Sequence, residues 1–266
     1  MGLVTVERRG GTAIMSYANP PFGTMTAAGS QEMLEAFRPL AVDPAVRSVV
    51  ITGGLPDIFI RHYDVGELSD MSDATADAPP PPPPTEPGGR PKQGFLALVD
   101  EISEAPKPVV AAINGLCMGG GFELSLACDL RIAGPKVAAI GLPETRVGIF
   151  PGGGGTQRLP RVVGEAKALE IILRGLTFTG EEAHAIGMVH ELADDPLARA
   201  LEIAAEWETR GADGIAHAKR LTRAALDRPI GEGLADERRS FQAVMRTASA
   251  REGLRAGRPP ASIQSL

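Results

Sequence analysis

Apolar residues in the first half of the chain recur at two different spacings. Short apolar or β-branched runs predict strands, whereas an apolar residue at every third or fourth position predicts a helix. The predicted strands lie at residues 3–8, 12–16, 48–52, 109–113 and 130–133. The predicted helices lie at residues 26–40, 95–104 and 122–128. Strands that alternate with helices across short connections are typical of an α/β fold.

The C-terminal part of the chain is predicted to be almost entirely helical. A Thr-Gly-Glu-Glu sequence at residues 179–182 has the capping-box pattern, and Gly187 suits the end of that helix. Amphipathic spacing predicts further helices at residues 196–210, 215–226 and 232–250. We therefore divide the chain into an α/β core at residues 1–190 and a helical region at residues 191–266. Such a region either carries an oligomer interface or covers the sheet.

A segment of different composition interrupts the core at residues 69–94. It is rich in Asp, Ala, Ser and Pro, and six consecutive prolines occupy residues 79–84. Proline lacks an N–H group and fixes φ, so the run is unsuited to a helix or a sheet. We predict an extended polyproline insertion on the surface. The alternative is a ligand for a proline-recognition module.

Composition and charge narrow the class of protein. The 266 residues include 27 Lys+Arg and 33 Asp+Glu, a net charge of -6 that argues against a nucleic-acid-binding surface. No run approaches the roughly 18 apolar residues of a membrane span, and residues 1–9 lack a signal-peptide core. Cys117 and Cys128 lie in apolar sequence and are expected to be buried free thiols in a reducing compartment. We expect a soluble, cytoplasmic enzyme.

Two glycine-rich stretches are the strongest candidates for a site. Residues 114–123 follow a predicted strand and open a helix, and residues 148–158 contain four consecutive glycines. Glycines let backbone N–H groups approach a ligand closely, and the start of a helix adds positive potential. Neither stretch matches the dinucleotide fingerprint or the lysine-containing phosphate loop. Tight turns alone would also account for these glycines.

Two glutamates accompany these stretches. Glu123 lies in the first turn of an apolar helix, and Glu144 follows a short strand. Alone, either carboxylate would pair with a helix dipole or face solvent. Two carboxylates beside two glycine-rich turns favour another interpretation, an apolar pocket equipped for acid–base chemistry near neutral pH. The four histidines have no metal-ligand spacing, so no metal is expected, and a nucleophile-elbow serine is absent.

Three motifs of the chain resemble the enoyl-CoA hydratase/isomerase family, also called the crotonase superfamily. They lie at residues 111–129, 142–159 and 179–189, and the resemblance covers almost the whole chain. It implies a spiral of repeated ββα units with a helical C-terminal region, assembled as a trimer or a dimer of trimers. It also implies an acyl-CoA substrate, with coenzyme A as part of the substrate and no separate cofactor.

The resemblance further implies roles for individual residues. Glu123 and Glu144 match the two catalytic glutamates of the hydratases. The oxyanion hole would consist of the backbone N–H groups of Tyr63 and Gly120.

The segment that contains Tyr63 departs from the family pattern. The usual Phe-x-Ala-Gly-x-Asp is replaced by Phe-Ile-Arg-His-Tyr-Asp at residues 59–64, with two bulky residues in place of small ones. A backbone donor does not require a particular side chain, but the surrounding pocket must have a different shape. The substrate-binding residues expected around the carbonyl are Phe59, Arg61, His62, Asp64 and Gly119.

Three functions remain open from the sequence. Retention of both glutamates favours an enoyl-CoA hydratase of fatty acid metabolism, which adds water across a 2-enoyl thioester. The nearest alternative is an enoyl-CoA isomerase of the same fold, which moves a proton with one glutamate. A repurposed acyl-CoA binder without catalysis is the third, motivated by His62 and Tyr63 in the oxyanion segment.

Overall fold

The computed structural model describes residues 2–79 and 91–257. Its strands are β1 (Val4–Arg9), β2 (Thr12–Tyr17), β3 (Ser48–Gly53), β4 (Ile58–Ile60), β5 (Val109–Ile113), β6 (Leu116–Met118), β7 (Leu130–Ala133), β8 (Ile140–Gly141), β9 (Thr177–Phe178) and β10 (Glu191–Leu192). Its helices are α1 (Ala27–Val42), α2 (Val65–Thr75), α3 (Gly94–Glu104), α4 (Gly120–Ala127), α5 (Gly155–Val163), α6 (Glu165–Arg174), α7 (Gly180–Ala185), α8 (Pro196–Glu208), α9 (Ala212–Arg223), α10 (Ile230–Val244) and α11 (Ala248–Ala256). A 3-10 turn at Glu144–Val147 lies between β8 and α5. Across these described ranges, the helices are too short or too polar to cross a membrane.

The strands form two sheets. The larger has the order β1-β2-β3-β5-β7-β10, and the smaller has the order β4-β6-β8-β9. The first two strands form an antiparallel hairpin, and the later strands of the larger sheet run parallel. In the smaller sheet β4, β6 and β8 are parallel neighbours, and β9 is antiparallel to β8.

A pair of strands recurs three times along the chain. In the pairs β3–β4, β5–β6 and β7–β8, the first strand joins the larger sheet and the second joins the smaller. A helix or 3-10 turn follows each pair. Successive pairs stack, because their first strands are neighbours in one sheet and their second strands are neighbours in the other. The result is the predicted spiral of ββα units.

Alternate residues of the central strands face two apolar layers. On β5, Val109 and Ala111 belong to the main core, whereas Val110 faces a second layer that Ala200 of α8 covers. β5 is therefore buried on both faces, which explains its continuous apolar sequence. The first helix of the C-terminal region thus covers the sheet. Farther along, α10 leaves large apolar side chains in solvent, with Phe241 65% exposed.

Part of the predicted extended insertion is instead helical. Residues 69–75 belong to α2, whose first turn is capped by Asp64: its carboxylate accepts a hydrogen bond from the Glu67 N–H at 3.1 Å. The expectation of extended structure is therefore wrong for this part of the segment. A composition rich in Asp, Ala and Ser concealed a capped helix that precedes the prolines. Residues 80–90, which include most of the proline run, lie outside the described residues.

The end of the chain also differs from expectation. The single helix predicted over residues 232–250 is divided into α10 and α11. Thr247 causes the division, because its hydroxyl accepts the Ala250 N–H at 3.2 Å and starts a new helix. The capping box of α7 is present as predicted, with reciprocal hydrogen bonds between Thr179 and Glu182.

Candidate active site

The candidate site lies where three strands of the smaller sheet end. β4, β6 and β8 are parallel neighbours, so their carboxyl ends meet at the same edge of the sheet. β4 leads to the oxyanion segment, β6 leads to Gly119 and the start of α4, and β8 leads to Glu144. The topology therefore brings together three segments that are far apart in sequence.

The Tyr63 and Gly120 backbones lie side by side at this edge. A Cβ atom on Gly120 would lie 3.4 Å from Tyr63 Cβ and 3.6 Å from Tyr63 N. The backbone N–H groups next to them form hydrogen bonds within the protein: the Asp64 N–H donates to the Met25 carbonyl, and the Gly119 N–H donates to the Gly141 carbonyl.

In contrast, the N–H groups of Tyr63 and Gly120 donate to no acceptor in the part of the chain that the structure describes. Gly120 is the first residue of α4, so its N–H belongs to the positive end of a helix. The two free donors are suited to bind one oxygen atom that develops negative charge.

Gly119 forms the turn between β6 and α4. Its φ is +51° and its ψ is -128°, a conformation that residues with a side chain rarely adopt. A Cβ atom at this position would lie 3.3 Å from Glu144 Oε1 and 3.5 Å from His62 Cβ. The missing side chain therefore lets Glu144 and His62 approach the backbone next to the free Gly120 N–H.

Glu123 is held by the second glycine-rich stretch. Its side chain is only 4% exposed, which excludes the solvated interpretation. Oε1 accepts hydrogen bonds from the Gly153 N–H at 2.7 Å and the Gly155 N–H at 2.8 Å. Burial raises the pKa of Glu123, while these two hydrogen bonds and the charge of Arg158 oppose the rise. The carboxyl is fixed in place by one oxygen.

Glu144 is the less constrained of the two carboxyls. Its Oε2 is buried and, among the described residues, has no hydrogen-bond partner. Burial, together with the charge of Glu123, raises the pKa of Glu144 to about 7. Two carboxyls that interact in this way titrate as a coupled pair. A pKa of about 7 suits Glu144 to give or accept a proton near neutral pH, and its Oε2 is free for such a transfer.

Of the other expected substrate-binding residues in this segment, Phe59 and Asp64 are engaged by the protein itself, whereas Arg61 is not fully paired in the described part of the chain. Phe59 is 1% exposed and belongs to the main core. Asp64 caps α2 and also accepts the Thr24 hydroxyl at 3.0 Å, and these hydrogen bonds lower its pKa. Both residues fix the segment through contacts with protein. Arg61 has a buried Nε without a partner among the described residues.

His62 and Tyr63 turn in different directions. The His62 Nδ1–H donates to the Tyr63 carbonyl at 2.7 Å, since a carbonyl oxygen is only an acceptor. The Tyr63 ring packs edge-on against Phe95, with ring centroids 5.8 Å apart at 73°. Burial raises the pKa of the Tyr63 hydroxyl to about 12.

Two residues of the site were not identified from the sequence. Phe95 carried only the apolar stripe of a helix, and that pattern gave no sign that its ring reaches Tyr63. Arg158 stood in the second glycine-rich stretch without an assigned partner. Its Nη1 donates to the Gly153 carbonyl at 2.9 Å, and Nη2 donates to Asp100 at 3.0 Å. These contacts hold the loop whose N–H groups bind Glu123.

Comparisons with known proteins agree with this architecture. The family model described as enoyl-CoA hydratase/isomerase matches residues 7–260. The mitochondrial methylglutaconyl-CoA hydratase of Rattus norvegicus is 34% identical over 230 residues, which cover 83% of this chain and 69% of the relative. The mitochondrial enoyl-CoA hydratase domain-containing protein 2 of Homo sapiens is 35% identical over 237 residues, covering 85% of this chain and 75% of the relative. The match to Bacillus subtilis YngF is 44% identical over 166 residues and spans 62% of each chain.

Solved structures give the same result for the fold. The enoyl-CoA hydratase of Bacillus anthracis has a TM-score of 0.83 at 28% identity, covering 96% of this chain and 95% of that one. The enoyl-CoA hydratase of Thermoplasma volcanium has a TM-score of 0.84 at 26% identity, covering 97% and 98%. These similarities confirm the crotonase fold that the motifs predicted. With its family model matched from residue 7 to residue 260, the chain belongs to the enoyl-CoA hydratase/isomerase family.

Proposed function

We propose that this protein is an enoyl-CoA hydratase, which adds water across the 2,3 double bond of a 2-enoyl-CoA thioester. The observation that carries the proposal is the buried Glu123 and the half-buried Glu144, whose Oε2 is buried, beside two free backbone N–H groups. The pKa of each carboxyl is raised, and that of Glu144 lies at about 7. A reaction that removes one proton and delivers another needs two such groups.

The two N–H groups polarise the thioester. Its carbonyl oxygen accepts hydrogen bonds from the N–H groups of Tyr63 and Gly120, and these bonds strengthen as the enolate forms. One donor of this kind typically contributes ~10²–10³ in rate. The polarised carbonyl withdraws electrons through C2, so C3 becomes the site of attack.

The two glutamates divide the proton transfers. Glu123, held through Oε1, takes a proton from water through Oε2 while the water oxygen bonds to C3. The electron pair of the double bond moves to C2 and the carbonyl, and Glu144 delivers its proton to C2. The proton gained by Glu123 then returns to the ionised Glu144 through solvent. The balance is one water added, with no metal or redox cofactor needed; coenzyme A arrives as part of the substrate.

The C-terminal helices support assembly as a trimer or a dimer of trimers. Leu226, Ile230 and Phe241 are 73%, 77% and 65% exposed, which is unfavourable for an isolated chain. A second copy of the chain packed on these side chains would remove them from water. The assembly is measured by light scattering of the purified protein.

Isomerase activity is the second candidate. One observation favours it: Glu123 is tied by two backbone hydrogen bonds, while Glu144 has a free oxygen and a pKa of about 7. A single carboxyl of this kind takes a proton from C2 of a 3-enoyl thioester and returns it to C4, which shifts the double bond to C2–C3 without added water. The hydratase is preferred because the pKa of Glu123 is also raised, and Glu123 lies close enough to Glu144 for its charge to raise the pKa of that carboxyl.

Crotonyl-CoA, the four-carbon 2-enoyl thioester, tests the proposal. Hydration removes the conjugated double bond, so its absorbance falls. Glu123→Gln and Glu144→Gln each remove a proton-transfer group of almost the same shape and are expected to lower turnover by about 10²–10⁴-fold. Glu181→Gln, an exposed residue of α7, is the matched control and should be active. Wild-type rates in both site variants would contradict the proposal.

A further inference from the structure

The Phe95 ring contacts three segments of the site. It lies at the start of α3, directly after the proline-rich segment. Its ring packs edge-on against the Tyr63 ring. A Cβ atom on Gly120 would lie 3.4 Å from Phe95 Cζ, and one on Gly153 would lie 2.5 Å from Phe95 Cε1. The ring therefore touches both donor segments and the loop that holds Glu123.

The position of Phe95 differs from that of the other apolar residues on α3. Leu98, Val99 and Ile102 are at most 1% exposed and fill the main core. Phe95 is only partly buried and lies at the edge of that core. Besides the Tyr63 ring, its ring lies against Gly120 and Gly153, which have no side chains to separate it from the backbone of the site.

A thioester bound at the two N–H groups would have its first acyl carbons beside this ring. The carbonyl oxygen lies between the N–H groups of Tyr63 and Gly120, and C3 must lie within reach of Glu123. The acyl carbons beyond C3 then extend past the residues that surround the carbonyl oxygen and C3. Phe95 contacts Tyr63, Gly120 and Gly153, which binds Glu123, so its ring lies beside the groups that would surround the carbonyl and C3.

We infer that Phe95 is a specificity-determining residue: with Tyr63 it forms an aromatic wall that limits the acyl group to short 2-enoyl chains. The inference rests on the proposed function of the site as an acyl-CoA site. A flat conjugated four-carbon group fits beside the ring, whereas a long flexible chain is obstructed by it. Aromatic rings present a large apolar surface of defined shape, and loss of one opens space for several methylenes.

Binding of saturated acyl-CoA tests the wall without requiring turnover. The dissociation constants of butanoyl-CoA and decanoyl-CoA are measured by calorimetry for wild type, Phe95→Ala and Phe95→Leu. Since one methylene contributes roughly 10–200-fold in discrimination, we expect Phe95→Ala to shift the ratio toward decanoyl-CoA by tens-fold. Phe95→Leu, which keeps an apolar contact, should give a smaller shift in the same direction. Leu96→Ala, at a neighbouring side chain that is 45% exposed, is the matched control.

The outcomes separate this inference from the proposed function. An unchanged ratio in both folded Phe95 variants overturns the wall, even when wild type hydrates crotonyl-CoA. A shifted ratio in a protein that does not hydrate crotonyl-CoA supports the wall and overturns the hydratase proposal. An equal shift in Leu96→Ala overturns the assignment to Phe95, because it would assign the effect to α3 in general.

Discussion

A hydrogen bond joins Arg158 to Gly153, the residue whose backbone N–H binds Glu123. Nη1 of Arg158 donates to the Gly153 carbonyl at 2.9 Å, while the N–H of the same glycine donates to Glu123 at 2.7 Å. Asp100 on α3 holds the other end of the guanidinium at 3.0 Å. The Arg158 side chain thus positions the loop that carries the Glu123 donors, and its charge opposes the rise that burial causes in the pKa of Glu123.

Replacement of Arg158 is expected to change the pH profile. Arg158→Gln removes a positive charge that favours the Glu123 carboxylate, so the pKa of Glu123 rises further. The base then ionises only at higher pH, and the acidic limb of kcat/KM for crotonyl-CoA moves upward, with roughly tenfold or greater loss below neutral pH. Arg161→Gln on the same helix, from an exposed ion pair with Asp227, is the control. Overlapping profiles for the two variants would show that Arg158 is structural only.

The two glycines that begin α4 should respond differently to replacement by alanine. A Cβ on Gly120 meets Phe95 and Tyr63 at ordinary contact distances of 3.4 Å, whereas one on Gly121 overlaps the Ile60 carbonyl oxygen. Gly120→Ala is therefore expected to fold with a similar melting temperature but to lose about 10²-fold in kcat, because the methyl group crowds the thioester oxygen. Gly121→Ala should lower the melting temperature strongly. Unaltered kinetics in Gly120→Ala would place the oxyanion site elsewhere.

Glu144 should reduce stability as the pH rises. Its pKa is raised from 4.5 to about 7, so between these values the folded chain binds more protons than the unfolded chain. Stability from this group is present below pH 4.5 and is lost as the pH rises to about 7, by on the order of 3 kcal/mol at most. Glu144→Gln should therefore raise the melting temperature at about pH 8 and change it little at about pH 4. A gain that does not depend on pH would contradict the raised pKa.

The contact between Tyr63 and Phe95 should be measurable as a coupling energy. An edge-on aromatic pair contributes about 0.5–1.5 kcal/mol beyond area burial. A double-mutant cycle with Tyr63→Leu, Phe95→Leu and the double variant, followed by urea unfolding, isolates this value. His62→Ala serves as a comparison, since its ring bonds the Tyr63 carbonyl rather than Phe95. Additive losses for Tyr63 and Phe95 would show that the rings do not interact.

The sequence predicts best those elements whose pattern is local. β5 coincides with the predicted run at 109–113, because a strand buried on both faces has continuous apolar sequence. β7 coincides with the predicted run at 130–133, although it includes Arg131. β8 has only two residues and β6 only three, too few to show any period. These short strands nevertheless position the site, so its architecture came from motif resemblance rather than from periodicity.

The features of the site that the sequence did not predict depend on contacts between residues far apart in the chain. Glu123 and Glu144 were predicted as a pair from their neighbouring glycines, but the hydrogen bonds from Gly153 and Gly155 join residues 30 and 32 positions apart. No local pattern specifies such a bond. Phe95 fitted the apolar stripe of α3 and was not distinguished from core residues. Helical spacing shows which face of a helix a side chain occupies, but not which residues pack against that face.

The mass of the product formed from crotonyl-CoA in water enriched in oxygen-18 tests the central claim most directly. If Glu123 activates water for attack at C3 and Glu144 delivers a proton to C2, the product is heavier than the substrate by one labelled water. Glu123→Gln and Glu144→Gln should lower the rate at which that product forms by at least about 10²-fold. A product of unchanged mass, or the absence of any product, would contradict hydration by this pair of glutamates.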